Sequence, residues 1–363
     1  MIDEIYRRLC DTMARRGGRY PGADIPEFYD LVRELYAPEE AEVSVAMPRG
    51  FNPANVIAAE VGKSEDDVKM ILETMADKGL CTCGDFDGVR FYGSTPFVPG
   101  IFEFQFMRGT KTERDKKLAK LIHGYKAAYD AAYPPKLPSF PTARVITVDR
   151  AVKVDNVVHT YDQVAHYIEI SDPIAVSTCF CRHEAKLIDE RDDCRMPDEV
   201  CMMFGMSAEF VIGRRIGRRV AKEEALDILK KAEEAGLVHA GVNRQNIDFL
   251  CNCCRCHCMI LKTALAYPKP ALGLTSGFQP VWDADLCTGC ETCVDRCPMT
   301  ALKSNGDIMP AIDLDRCIGC GVCATGCPMD AIILEAIPDA AIPPVDQKAM
   351  KEAMKAAQSL TSS

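Results

Sequence analysis

The sequence predicts an α+β chain in three folded parts, and three observations carry that prediction. Helical apolar periodicity dominates the first 133 residues, strand and helix patterns alternate after residue 143, and a duplicated cysteine run closes the folded region. The expected boundaries are 1–133 for a helical N-terminal domain, 134–142 for a proline-rich linker and 143–275 for a cysteine-rich α/β domain. Residues 276–337 then form the duplicated domain and 338–363 a tail. A chain of 363 residues is long enough to give each domain its own core.

In the N-terminal part, proline breaks at Pro21, Pro26 and Pro38 divide the first 45 residues into short helices. Pro53 to Val61 reads as a helix ended by Gly62, and Ser64 with Asp67 starts a second helix that closes at Gly79. Leu80-Cys81 and Val89 to Tyr92 flank Gly84 and Gly88 as a hairpin. Helix, turn, helix and two-stranded wing together resemble a winged-helix domain, a fold that serves DNA readers and protein-assembly modules alike. The helix from Ser64 to Lys78 carries five acids against Lys69 and Lys78, whereas phosphate neutralisation needs the opposite balance. Nucleic acid is therefore not the expected partner. Cys10, Cys81 and Cys83 read as small packed residues without a ligand role. Apolar Pro96 to Met107 is expected to be buried, and Asp115 to Ala132 to form an amphipathic helix stopped by Pro134-Pro135.

The central part opens with a strand pattern at Ala143 to Asp149, a helix at Tyr161 to Ile170 and a strand at Ile174 to Thr178. Nine cysteines follow: Cys179, Cys181, Cys194, Cys201, Cys251, Cys253, Cys254, Cys256 and Cys258. His183 and His257 lie among them and are expected to donate toward sulfur rather than ligate. If residues 251–258 are extended, Cys254, Cys256 and Cys258 share one face and Cys251 and Cys253 the other. No C-x2-C-x2-C run fixes the ligand subset. One or two further iron–sulfur clusters are the expected occupants, because the chain also carries the cluster-type spacing described next. A thiolate zinc knuckle, a metal-free dithiol and, at Cys253 to His257, a c-type haem motif stay open. Between the two cysteine groups, Glu223 to Ala235 reads as a helix capped by Gly236. The basic run Arg214, Arg215, Arg218, Arg219 and Lys222 is either a solvated face or a docking patch.

The C-terminal part repeats C-x2-C-x2-C-x3-C-P thirty residues apart, with Gly289/Gly319, Met299/Met329 and Ala301/Ala331 in register. Three thiolates at this spacing wrap one face of an iron–sulfur cube, and the fourth comes from the other run. Cys287, Cys290, Cys293 and Cys327 are thus expected to hold one [4Fe–4S] cluster, and Cys317, Cys320, Cys323 and Cys297 a second. From Trp282 to about Ile337 the segment closely resembles the bacterial two-cluster (2[4Fe–4S]) ferredoxins. The whole chain looks like a group of 4Fe-4S ferredoxin-type iron–sulfur proteins of anaerobic bacteria. These join a winged-helix-like N-terminus, a C-x-C-R…C…C…C-x-C-C-x-C-x-C centre and a two-cluster ferredoxin tail. The group's centre tends to have Gly and Cys where this chain has Arg255 and His257, which leaves the occupancy of each thiolate site open.

Twenty cysteines, seventeen of them between Cys179 and Cys327, suit metal clusters in a reducing cytoplasm better than secreted disulfides. The first residues lack an apolar signal segment, and no run is long enough to cross a bilayer. The resulting expectation is a cytoplasmic, anaerobic electron-transfer component of an oxidoreductase. Its partners would be redox proteins, steered by a ferredoxin part with nine acids and three basic residues between Asp283 and Glu335. An oxidoreductase with a substrate-binding central cluster and a redox-sensing winged-helix regulator are the alternatives. No G-x-G-x-x-G or phosphate-loop motif points to a nucleotide cofactor.

Overall fold

A computed structural model describes residues 3–148, 151–152, 163–189 and 193–361. In chain order the first elements are α1 (Glu4–Arg16), α2 (Pro26–Leu35), α3 (Pro38–Ala46), β1 (Phe51–Pro53), α4 (Ala54–Val61) and α5 (Glu65–Asp77). They are followed by β2 (Cys81–Phe86), β3 (Val89–Ser94), α6 (Ile101–Phe106) and α7 (Glu113–Ala132). Next come β4 (Ala143–Val145), α8 (Val164–Ile170), β5 (Ile174–Thr178), α9 (Phe180–Ile188), β6 (Glu199–Phe204), α10 (Gly205–Gly213) and β7 (Arg218–Val220). Then follow α11 (Lys222–Glu234), β8 (Val238–Val242), β9 (Phe249–Cys253), α12 (Met259–Leu265) and α13 (Pro270–Gly273). The last are β10 (Phe278–Trp282), α14 (Thr292–Arg296), β11 (Leu302–Lys303), β12 (Ala311–Ile312), α15 (Val322–Thr325), β13 (Ile332–Ala336) and α16 (Gln347–Thr361). The expected start of the central helix at Tyr161 and end of its first strand at Asp149 lie outside the described residues. None of the described helices is long and apolar enough to cross a membrane.

The chain divides into two units whose sequences interleave: 1–134 with 177–193 and 209–218, and 135–176 with 194–208 and 219–363. In the first, local signals set the helix ends. Gly62 takes the left-handed conformation that stops α4, and the Ser64 hydroxyl caps α5 by accepting from Asp67 N at 3.2 Å. Asp87 and Gly88, both at positive φ, form the tight turn between β2 and β3, and β1 adds to the outer edge of β3. Phe28, Phe97, Phe102 and Tyr125 pack together with ring centroids 4.7 to 6.4 Å apart. Their burial anchors the apolar 96–107 segment as the sequence predicts.

Acids of α5 are answered from within the same unit. Arg214 donates to Glu73 and Asp77, each at 2.8 Å, and to the Cys83 sulfur at 3.0 Å, while Arg90 reaches Glu73 and Asp85. The first member of the basic run is therefore turned inward. Against the opposing effect of burial, the Tyr92 hydroxyl and then this guanidinium hold the Glu73 carboxyl below the usual range. Arg214→Ala leaves Glu73 and Asp77 under-compensated and should lower the unit's unfolding free energy by about 1–3 kcal/mol in a denaturant titration. A change indistinguishable from zero would show that the pairs are exposed ornaments.

Glu103 caps α6 by accepting from Gly100 N at 2.7 Å, and burial pushes its carboxyl up to about 7. The folded state thus binds this proton more tightly than the unfolded chain does. Its stabilising contribution is complete below about pH 4.5 and is lost as pH rises through about 7. Glu103→Gln keeps an acceptor but removes the titration. Melting curves of the variant should lose part of the stability decline that the native chain shows across that interval, and parallel curves for the two proteins would contradict the assignment.

The second unit is built on a six-stranded sheet of order β4-β8-β9-β6-β5-β7. Its two faces differ in chemistry. Met202 and Leu250, paired across β6 and β9, point into a core with Phe204, Ile174, Val176, Tyr167 and Leu229. On the opposite face Val238, Ala240 and Cys253 pack with Cys258, Leu261, Met299 and Val322. Alternation along β9 puts Cys251 and Cys253 on this second face, and the same period puts Cys201 of β6 there too, since its neighbour Met202 faces the other way. The C-terminal tail beyond Asp346 forms the 15-residue α16. Met350 of that helix is buried, which gives the helix an anchor that its alanine-rich sequence does not announce.

Candidate metal centres

The duplicated cysteine run folds into two loops with the same backbone. Left-handed residues recur at Gly289 and Gly319, at Glu291 and Gly321, and at Thr300 and Asp330. These conformations swing amide N–H groups toward sulfur. Ala301 N donates to Cys297 Sγ at 3.2 Å, and Ala331 N donates to Cys327 Sγ at 3.4 Å. A small residue is what lets the backbone approach so closely, which accounts for the matched alanines. Strands β10 and β13 pair antiparallel from Phe278↔Ala336 to Trp282↔Ile332 and hold the two halves together.

Cys287, Cys290, Cys293 and Cys327 line one cavity of about 460 Å³, open mouth included, with Trp282, Ile308 and Met329. Cys297, Cys317, Cys320 and Cys323 line a second of about 370 Å³, with Pro280, Ile318 and Leu334. The crossed sets of the sequence reading are thus brought together in space. Each set surrounds a shared cavity, and the indole nitrogen of half-buried Trp282, without a hydrogen-bond partner of its own, lies close to the Cys293 sulfur.

The two environments differ. Around the first cavity stand exposed Cys290, Thr288 and Asp307 with half-buried Thr292, and the Thr292 hydroxyl and amide hold the Cys290 thiol below its usual value. Around the second, burial pushes Cys320 up to about 12 and raises Cys317 and Cys323 as well. The thiols of the second site are therefore the more costly to ionise without a cation to compensate them.

Residues 279–328 match the 4Fe-4S dicluster domain. The C-terminal domain is of ferredoxin type, and at least one iron–sulfur cluster belongs to it. No curated protein matches the chain.

The nine central cysteines separate into three groups. Cys179, the N-cap of α9, and Cys181 belong to the first unit, and the other seven to the second. His183 makes a hydrogen bond from Nε2 to the Thr110 carbonyl at 2.7 Å, so its ring serves the backbone of the first unit. Cys251 and Cys258 both flank the Cys253 thiol at hydrogen-bonding range, and with burial they drive it far above its usual value. The third group is Cys194, Cys254, Cys256 and His257, whose donor atoms all lie within 4.8 Å of one another.

This partition departs from the extended reading of 251–258. Strand β9 ends at Cys253, and Cys258 N bonds back to Cys254 O at 3.1 Å, closing a turn before α12. The turn carries Cys254, Cys256 and His257 away while Cys258 returns to the face of Cys251 and Cys253. His257, expected to donate toward sulfur rather than ligate, has a ring nitrogen among the sulfurs of Cys194, Cys254 and Cys256. The c-type haem pattern is split by the same turn, since Cys253 and Cys256 fall in different groups.

Proposed function

We propose that the chain is an iron–sulfur electron-transfer protein that works as a subunit or tight partner of a larger redox enzyme. The observation that carries this is the pair of cavities, each lined by three cysteines of one run and one of the other. Cys287, Cys290, Cys293 and Cys327 would hold one [4Fe–4S] cluster, and Cys297, Cys317, Cys320 and Cys323 another. Bound clusters supply one-electron chemistry. The chain's own residues line the second site with apolar side chains, aim N–H donors at sulfur and leave Cys290 of the first site exposed.

Cys201, Cys251, Cys253 and Cys258 would hold a further cluster. Cys297, Cys317 and Cys320 pack against the core that contains Cys253 and Cys258, so the two sets share one apolar medium. The N-terminal unit is read as a winged-helix-like module that binds protein. Arg90 and Arg214 are engaged by acids of that unit, and the remaining charge of α5 suits no phosphate backbone.

Anaerobic iron and sulfide analysis with EPR of the reduced protein tests the reading. About twelve irons with matching sulfide are expected from three cubanes, and no more than about four would remove the paired-cluster assignment. Potentiometry adds a second result. A low-dielectric site disfavours the more highly charged reduced state, so the centre of the second cavity should be reduced at the more negative potential. Identical potentials for all centres would contradict that ordering.

A further inference from the structure

We infer that Cys194, Cys254, Cys256 and His257 form a closed, structural site for a single zinc ion, separate from every iron–sulfur centre of the chain. A tetrahedral zinc with Zn–S near ~2.3 Å sets neighbouring sulfurs ~3.8 Å apart. The four donor atoms here lie within 4.8 Å of one another, and Cys194 Sγ and Cys256 Sγ are 3.3 Å apart. A cubane attaches its four thiolates to four different irons, which spreads them farther. The chain supplies its own comparison. Among the described residues, this is the group of three or more metal-ligating side chains whose donors meet so closely, whereas the eight ferredoxin cysteines stand around voids.

Donor chemistry points the same way. Three cysteines and one histidine are a set used by structural zinc, and four protein donors leave no open position for a substrate or a water nucleophile. The placement gives the ion its task. Cys254, Cys256 and His257 ride on the turn between β9 and α12, and Cys194 comes from 62 residues away, so the ion closes a long loop. Cys254 is buried and anchors the site, while Cys256 lies at the surface. Fixing this turn also fixes Cys253 on one side and Cys258 on the other. The assignment does not depend on what those two residues bind.

The test uses the full chain purified anaerobically, with zinc, iron and sulfide measured on one sample. About one zinc per chain is expected beside the iron. Its X-ray absorption edge should report three sulfurs near ~2.3 Å and one nitrogen near ~2.0 Å. Cys194→Ser should lose the zinc and keep the iron, the sulfide and the EPR signals of the native protein. His257→Cys should keep zinc with a four-sulfur shell. Absence of zinc overturns the inference, as does zinc in any shell other than three sulfurs and one nitrogen in the native chain. Loss of about four irons with Cys194→Ser would reassign the site to a cubane. Should the serine variant fail to fold, the absorption spectrum of the unaltered protein decides alone.

Discussion

Replacing Cys297 with alanine should reproduce the defect of Cys320→Ala, not that of Cys290→Ala, although Cys297 belongs to the same run as Cys290. Cys297 and Cys320 line the second cavity, whereas Cys290 lines the first. Each variant should lose or convert one cluster, seen as a fall of up to about four irons and the disappearance of one EPR signal. The thermal consequences should differ. The second cavity is walled by buried Cys323, Ile318 and Leu334, so losing its cluster opens a void beneath the core and should destabilise by several kcal/mol, on the order of a large-to-small core substitution. Cys290 is exposed, and its loss should weaken the fold far less. If Cys297→Ala instead behaves like Cys290→Ala, the ligand sets are not crossed.

Why the ferredoxin part is so readable in the sequence follows from where its constraints lie. Its thiolates sit on loops of a few residues, and the spacing itself encodes which sulfurs meet. Helix ends of the N-terminal unit are equally local, because Gly62 and Ser64 act within one turn. The central cysteines are different. Which of them meet depends on one backbone bond, Cys258 N to Cys254 O, which turns a run that alternates like a strand into a strand and a loop. The interleaving of the two units is also silent in sequence. Lys126 pairs with Glu184, Thr110 accepts from His183, and Arg214 answers Glu73 across 141 positions, and none of these leaves a periodic trace. His257 could have been promoted to a ligand on one signal, its adjacency to Cys256, but that signal is shared with many packed histidines.

The duplicated glycines offer the sharpest contrast between two halves that look identical in sequence. Gly289 and Gly319 occupy matching places and matching conformations, with φ of +68° and +66°. Alanine at either pays the left-handed penalty of about 1–2 kcal/mol. Their surroundings then separate them. A Cβ on Gly289 would meet nothing nearer than Ile308 O at 3.4 Å, an ordinary contact. A Cβ on Gly319 would fall 2.1 Å from Phe278 O and 2.3 Å from Ser276 Oγ, and the first of these is backbone that cannot step aside. Ser276 is itself fastened there, donating to Gly319 O at 2.7 Å and accepting from Phe278 N at 3.1 Å. Relieving the clash would break this clamp, displace β10 and turn the Gly319 amide away from the Cys317 sulfur it faces. Gly319→Ala should therefore lose the second-cavity cluster and destabilise the domain by more than about 3 kcal/mol, the sum of strain and a broken buried network. Gly289→Ala should keep both clusters, with a loss near the conformational penalty alone. Iron content, EPR and thermal melting of the two variants side by side measure the difference. Equal damage from both, or tolerance of alanine at 319, would mean that the 276–278 segment does not press on the second loop as described.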